Sequence, residues 1–204
     1  METKSKFDQH IDTWLSLNNE GRFHDGRQYY YSELFNDVIH RFIEQKQGAE
    51  EHQNGVLFSI LGFTPEPIIL TQRVLNPSVH IIFTTNKKGE VNDDINNSLE
   101  KFLTSDYQLV TLEDDNFFTI YNALKDYMIL YPALDYTIDI TGGKKSMVAT
   151  AAIFGRDYNC NITYLDYEEY LAELRRPKPG TEKLKWVYRP NKDLPEIDFF
   201  KSQK

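Results

Sequence analysis

The chain has 204 residues, 40% of them hydrophobic and 14% aromatic, which supplies a packed core and excludes global disorder. Its formal net charge of −8 argues against capture of long DNA or RNA on a basic face, yet leaves room for a small anion in one local basic pocket. The single cysteine, Cys160, excludes an intramolecular disulfide and a cysteine-based zinc site.

Phe7, Ile11, Trp14 and Leu15 recur at helical spacing, so a helix is expected from Phe7 to Asn18, stopped at Asn18-Asn19-Glu20-Gly21. A longer helix is expected from Asp25 to Gln47, with Tyr30, Leu34, Val38 and Phe42 on one stripe. Gly48 to Gly55 reads as a polar break. Strands are then expected at Val56–Leu61, Val79–Thr85, Tyr107–Leu112, Tyr136–Ile140 and Ile162–Asp166. Between them lie helical patterns at Ile68–Leu75, Asp94–Leu103, Asn116–Tyr131 and Ser146–Asp157, with a loop at Asn86–Asp93. Strands alternating with helices imply an α/β, Rossmann-like fold, a mostly parallel sheet with helices on both faces, here preceded by an N-terminal helical hairpin. The expected organisation is a helical extension at 1–54, a ligand-binding domain at 55–190 and a tail at 191–204. No apolar run reaches the roughly 18 residues of a membrane span. The polar start, Met1 to Asp12, lacks the apolar centre of a signal peptide, so cytoplasmic residence is expected.

Two strand ends carry unusual chemistry. The first runs Gly62-Phe63-Thr64-Pro65-Glu66-Pro67 and the fourth Thr141-Gly142-Gly143-Lys144-Lys145. In a parallel sheet both turns fall on one rim, where ligands bind beyond the carboxyl ends of the strands. Paired glycines let backbone N–H groups approach a ligand, and a helix start presents its positive end there. Two lysines in an acidic chain therefore point to a phosphate-bearing ligand. Gly62 and Thr64 are placed to meet a phosphate or ribose; Thr64 also reads as an N-cap with Pro65 at the first helical position. The glycine–lysine turn is neither a Walker loop nor the spaced-glycine dinucleotide fingerprint. Asp139 either hydrogen-bonds the turn or ends its strand. The five histidines show no ligand spacing, so no metal and no cofactor is expected, and Asp114-Asp115 reads as solvated surface.

Three stretches together are similar to the CRISPR-associated Rossmann fold (CARF) family. They are Val56 to Pro67 followed by Ile81-Ile82-Phe83-Thr84-Thr85, Asp139 to Met147, and Tyr164-Leu165-Asp166-Tyr167 running on to Arg176-Pro177-Lys178-Pro179-Gly180-Thr181-Glu182. The resemblance implies a homodimer that binds a cyclic oligoadenylate, of four or six units, across its two-fold axis. Gly62, Phe63 and Thr64 match the family's first ligand loop, with Pro65 beside them. Thr141, Gly142, Gly143 and Lys145 match the second, with Lys144 standing where many members have threonine and Met147 following. The resemblance further implies a sensor of type III CRISPR antiviral defence, coupled to a fused or separate effector. Two alternatives stand beside it. One is a metal-independent ring nuclease, in which a ribose 2′-hydroxyl attacks its own phosphodiester while Lys144 or Lys145 stabilises the charge and Thr64 orients the ring. The other is a nucleotide-binding regulator unrelated to CRISPR.

Overall fold

The computed structural model describes residues 4–45, 49, 52–85 and 93–193. Most of the expected 86–93 loop, much of the 48–55 break and residues 194–204 of the tail lie outside the described residues.

Helix α1 spans Lys6–Asn19, and the Ser5 hydroxyl caps it by accepting from the Asp8 N–H at 3.2 Å. The long helix expected next is broken into three parts: α2 at Phe23–Tyr29, a π-helical turn at Tyr30–Leu34, and α3 at Phe35–Glu44. The cause lies in the stripe itself. Tyr30, Leu34, Val38 and Phe42 recur at every fourth residue, a spacing that drifts around a regular α-helix, and one wide turn cancels part of the drift. It also lets the adjacent Leu34 and Phe35 both enter the core.

The sheet is built from β1 (Val56–Ile60), β2 (Val79–Thr84), β3 (Tyr107–Thr111), β4 (Tyr136–Asp139), β5 (Asn161–Tyr167) and an antiparallel edge strand. Between them run α4 (Glu66–Leu75), α5 (Asp93–Phe102), α6 (Phe117–Leu130) and α7 (Lys145–Asp157). After β5 come a two-stranded hairpin, β6 (Tyr170–Leu171) with β7 (Arg176–Pro177), and then β8 (Glu182–Tyr188), which closes the sheet edge. The sequence reading lacked these three strands. The strand order is β3-β2-β1-β4-β5-β8, parallel from β3 to β5, with β8 antiparallel to β5. The fold is thus α/β and Rossmann-like, with helices on both faces. No described helix is long and apolar enough to cross a membrane.

The two faces hold separate cores. On one, Leu57, Ile82 and Leu165 pack with α4, α5 and the N-terminal helices, including Trp14, Phe35 and Phe42. On the other, Phe58, Ile60, Phe83 and Ile138 pack with Ile120 and Leu124 of α6 and Ala151 and Phe154 of α7. The N-terminal helices therefore share a core with the sheet. Phe35, fully buried, sits 4.9 Å centroid to centroid from Phe102 of α5 and 5.3 Å from Tyr30. Phe35→Ala should cost about 3–5 kcal/mol. Because that core is continuous, chemical unfolding followed by Trp14 and by Trp186 should shift as a single transition. Separate loss of the N-terminal signal would contradict the shared core.

Candidate functional site

The order β3-β2-β1-β4-β5 reverses direction between β1 and β4, which are direct neighbours with Ser59 paired to Asp139. From β1 the chain crosses to α4 on one face, and from β4 to α7 on the other. The two turns expected to share a rim meet at this switch point in backbone contact. A Cβ on Gly142 would lie 2.4 Å from the Ile60 carbonyl and 2.8 Å from the Gly62 nitrogen. One on Gly62 would lie 2.9 Å from the Gly143 nitrogen. Gly143 itself has φ +86°, the left-handed region that glycine alone enters freely. No side chain fits between the strands here, so the rim is bare main chain.

Beneath the rim, Asp139 is 1% exposed. Its Oδ1 accepts from the Thr141 N–H at 2.9 Å and the Thr141 hydroxyl at 2.5 Å. The same hydroxyl accepts from the Leu165 N–H of β5 at 2.7 Å. Thr141 is thereby turned inward, fastening the second turn to two strands rather than offering its hydroxyl to a ligand. Burial pushes the Asp139 carboxyl up to about 6, with the Thr141 hydrogen bonds opposing the rise.

Charge at the rim is uneven. The Lys144 ammonium lies 3.1 Å from Asp115 Oδ1, and the Ser146 hydroxyl donates to Asp115 Oδ2 at 2.8 Å. These bonds, that from Ser146 foremost, hold the Asp115 carboxyl below the usual carboxylate range. Asp115, read from sequence as solvated surface, is instead the partner of the second turn. Lys144 is the N-cap of α7 and has no side-chain capping bond. Lys145, the first residue of α7, is exposed and makes no ion pair among the described residues. The positive end of a 13-residue helix therefore carries one neutralised and one unpaired ammonium group.

Two placements differ from expectation. Pro65 is the N-cap of α4 and is buried, while Thr64 stands one residue outside the helix, exposed. The Pro65 ring has no side-chain capping acceptor, and the second proline, Pro67, occupies the first helical turn. Met147 is 1% exposed and belongs to the α6–α7 core, its thioether accepting from the Thr85 hydroxyl at 3.7 Å. Buried in that core, and contrary to expectation, it is not available to a ligand at the rim.

Phe63 is 99% exposed at the tip of the first turn. Behind it, a cleft of about 580 Å³ opens between the N-terminal helices, the start of α4 and the β6–β7 hairpin. Phe63 and Thr64 line this cleft, whereas residues 141–145 do not. The two turns thus share a rim without sharing one enclosed cavity. The Arg-Pro-x-Pro-Gly-x-Glu segment, noted in the sequence without a role, supplies a wall of the cleft through Arg176, Pro177, Pro179 and Glu182.

The Asp139 carboxyl ionises near 3.9 when unfolded and near 6 in the native protein, so the native state holds the proton between those values. Stability should accordingly fall as pH rises from about 4 to about 6 and then level, an effect on the order of 3 kcal/mol. Glu182, also pushed up by burial, extends the decline towards 7. Asp139→Asn keeps an acceptor for Thr141 and removes the charge. Urea midpoints at pH 4.5 and pH 7 should then converge relative to the unsubstituted chain; an unchanged difference would show that Asp139 is not the source.

No family model matches the chain. Over 84 residues it is 38% identical to the CRISPR system endoribonuclease Csm6 of Thermus thermophilus, a match covering 39% of this chain and 18% of that protein. Among solved structures, Can2 from Sulfobacillus thermosulfidooxidans in complex with cyclic tetra-adenylate has a TM-score of 0.47 at 16% identity, over 55% of this chain and 32% of that one. Enterococcus italicus Csm6 bound to cyclic hexa-2′-fluoro-hexa-dAMP has a TM-score of 0.43 at 16% identity, over 56% and 34%. VC1899 from Vibrio cholerae has a TM-score of 0.47 at 12% identity, over 66% and 33%. The chain spans under a fifth of its curated relative and about a third of these solved chains. In part of its length it is a homologue of Csm6, which supports its resemblance to the CARF family.

Proposed function

We propose that the chain is a cyclic oligoadenylate sensor of type III CRISPR defence, gripping the ring with the paired turns of two copies related by a two-fold axis. The observation that carries this reading is the backbone contact between the turns at the switch point, directly below the positive end of α7 and Lys145, which has no ion pair among the described residues. Bare N–H groups and one ammonium suit phosphodiesters, whose charge repeats along the ring. The partial likeness to Csm6, a CRISPR system endoribonuclease, supports a place in CRISPR defence. A ring of even repeat presents equivalent edges to two identical subunits. Phe118, Ile129 and Leu134, all largely exposed on or just after α6, are apolar side chains that a second copy would cover. The division into extension 1–54, sensor 55–190 and tail 191–204 belongs to this proposal, with the signal passed to a fused or separate effector.

Binding is favoured over ring cleavage. Residues 61–65 and 140–146 contain no carboxylate and no imidazole, and the carboxylate that reaches them, Asp115, is engaged by Lys144 and Ser146 and held below the usual carboxylate range, which makes it a weak general base. Titration with cyclic tetra- and hexa-adenylate should show saturable binding, and the ring should remain intact at stoichiometric protein in EDTA. Lys145→Ala should weaken binding by about 1.5–3 kcal/mol, the worth of a charge-assisted phosphate contact. Lys144→Ala should cost less, because Asp115 already occupies that ammonium. Equal losses, or none at Lys145, would contradict the assignment; cleaved ring would make the protein a nuclease.

A further inference from the structure

The start of α7 already holds an anion, and that anion belongs to the chain itself. Asp115 comes from the irregular segment between β3 and α6, 31 residues before Ser146. Its Oδ1 lies 3.1 Å from the Lys144 ammonium, and its Oδ2 accepts from the Ser146 hydroxyl at 2.8 Å. Lys144 is the N-cap of α7 and Ser146 stands in its first turn, so the two carboxylate oxygens straddle the helix end. The two free oxygens of a phosphodiester have the same forked form and suit the same pair of donors. The contact is open to solvent, with side-chain exposures of 35% for Asp115 and 49% for Lys144. Ion pairs so exposed are weak.

The segment that bears Asp115 is held by other bonds. Asp114 accepts from the Asn116 N–H at 2.9 Å and from the Asn116 side-chain amide at 2.6 Å, so the turn into α6 closes without Asp115. Farther along, the Tyr121 hydroxyl of α6 donates to Asp157 of α7 at 2.7 Å, and its ring meets that of Phe154 at 5.1 Å. The Asp115 carboxylate can therefore leave Lys144 and Ser146 without parting α6 from α7. We propose that Asp115 is an internal stand-in for a ligand phosphate, an autoinhibitory contact that an incoming polyanion must displace from Lys144 and Ser146. Because it is tethered, it competes at a high effective concentration. A lone phosphate that takes its place only exchanges one anion for another at the same donors. A ligand whose next phosphate also reaches Lys145 and the bare N–H groups of the rim gains contacts that Asp115 does not supply. The contact thus sets a threshold that favours a repeated phosphate backbone. The inference rests on the sensor reading for the identity of that ligand, and on the rim alone for the competition.

The test is calorimetric titration of the full chain and its variants with cyclic tetra- and hexa-adenylate and, as a probe without a ring, with inorganic tripolyphosphate. Asp115→Asn keeps an acceptor for Ser146 and removes the charge, and it should tighten ring binding by about two- to fivefold per rim. Asp114→Asn neutralises the neighbouring carboxylate, which bonds Asn116 instead, and should change affinity much less. In the Asp115→Asn background, Lys144→Ala should become as damaging as Lys145→Ala, because the freed ammonium then meets phosphate unopposed. If the parent chain binds the ring, unchanged affinity in Asp115→Asn, or equal gains from Asp115→Asn and Asp114→Asn, would overturn the competition and leave the sensor reading intact. Tighter tripolyphosphate binding by Asp115→Asn, with no ring bound by either protein, would support the competition and overturn the sensor reading. Binding of neither probe to either protein would overturn both.

Discussion

Main chain meeting main chain at the β1–β4 junction is the constraint on which the rest of this molecule depends. Neighbouring strands there send their crossovers to opposite faces, α4 to one and α7 to the other. The turns that begin those crossovers must then pass each other at the rim with no room for a side chain. Gly62, Gly142 and Gly143 meet that requirement, and even one added methyl at 142 would strike the Ile60 carbonyl. A surface of exposed N–H groups next to a helix N-terminus follows from topology and glycine together. Neither alone would produce it.

Electrostatics then divide the rim into an anchored part and an available part. Asp139 is held below it at a desolvation cost and organises Thr141, which in turn binds the Leu165 N–H of the next strand. Asp115 reaches across from the segment before α6 and ties down Lys144 and Ser146. What remains outward is Lys145, with Thr64 and Phe63 on the first turn. A chain of net charge −8 therefore keeps a small cationic spot at this rim.

Much of this was legible in the residues. Apolar runs such as Val56 to Leu61 could only be buried strands, and their alternation with helical patterns implied the parallel sheet and a common rim. Other features were not legible, each for a physical reason. The antiparallel strand Glu182–Tyr188 follows Pro177, Pro179 and Gly180 and carries three lysine or glutamate side chains, so its pattern is that of an exposed edge. The π-helical turn leaves no compositional mark distinct from a helix. Asp115 gained its role only through a contact with residues some thirty positions away. Met147 adjoins the lysines in sequence, yet its spacing to Ala151 and Phe154 puts it on the inward face of α7. The cleft was hidden for the same reason as Asp115: Trp14, Glu66 and Glu182 come from three distant segments.

The central claim, that two copies of one rim hold a single polyanionic ring, is tested most directly by native mass spectrometry of the chain with cyclic tetra- and hexa-adenylate. The account predicts a dominant species of two chains with one ring. One ring on each single chain, or two chains that take up no ring at all, would contradict it.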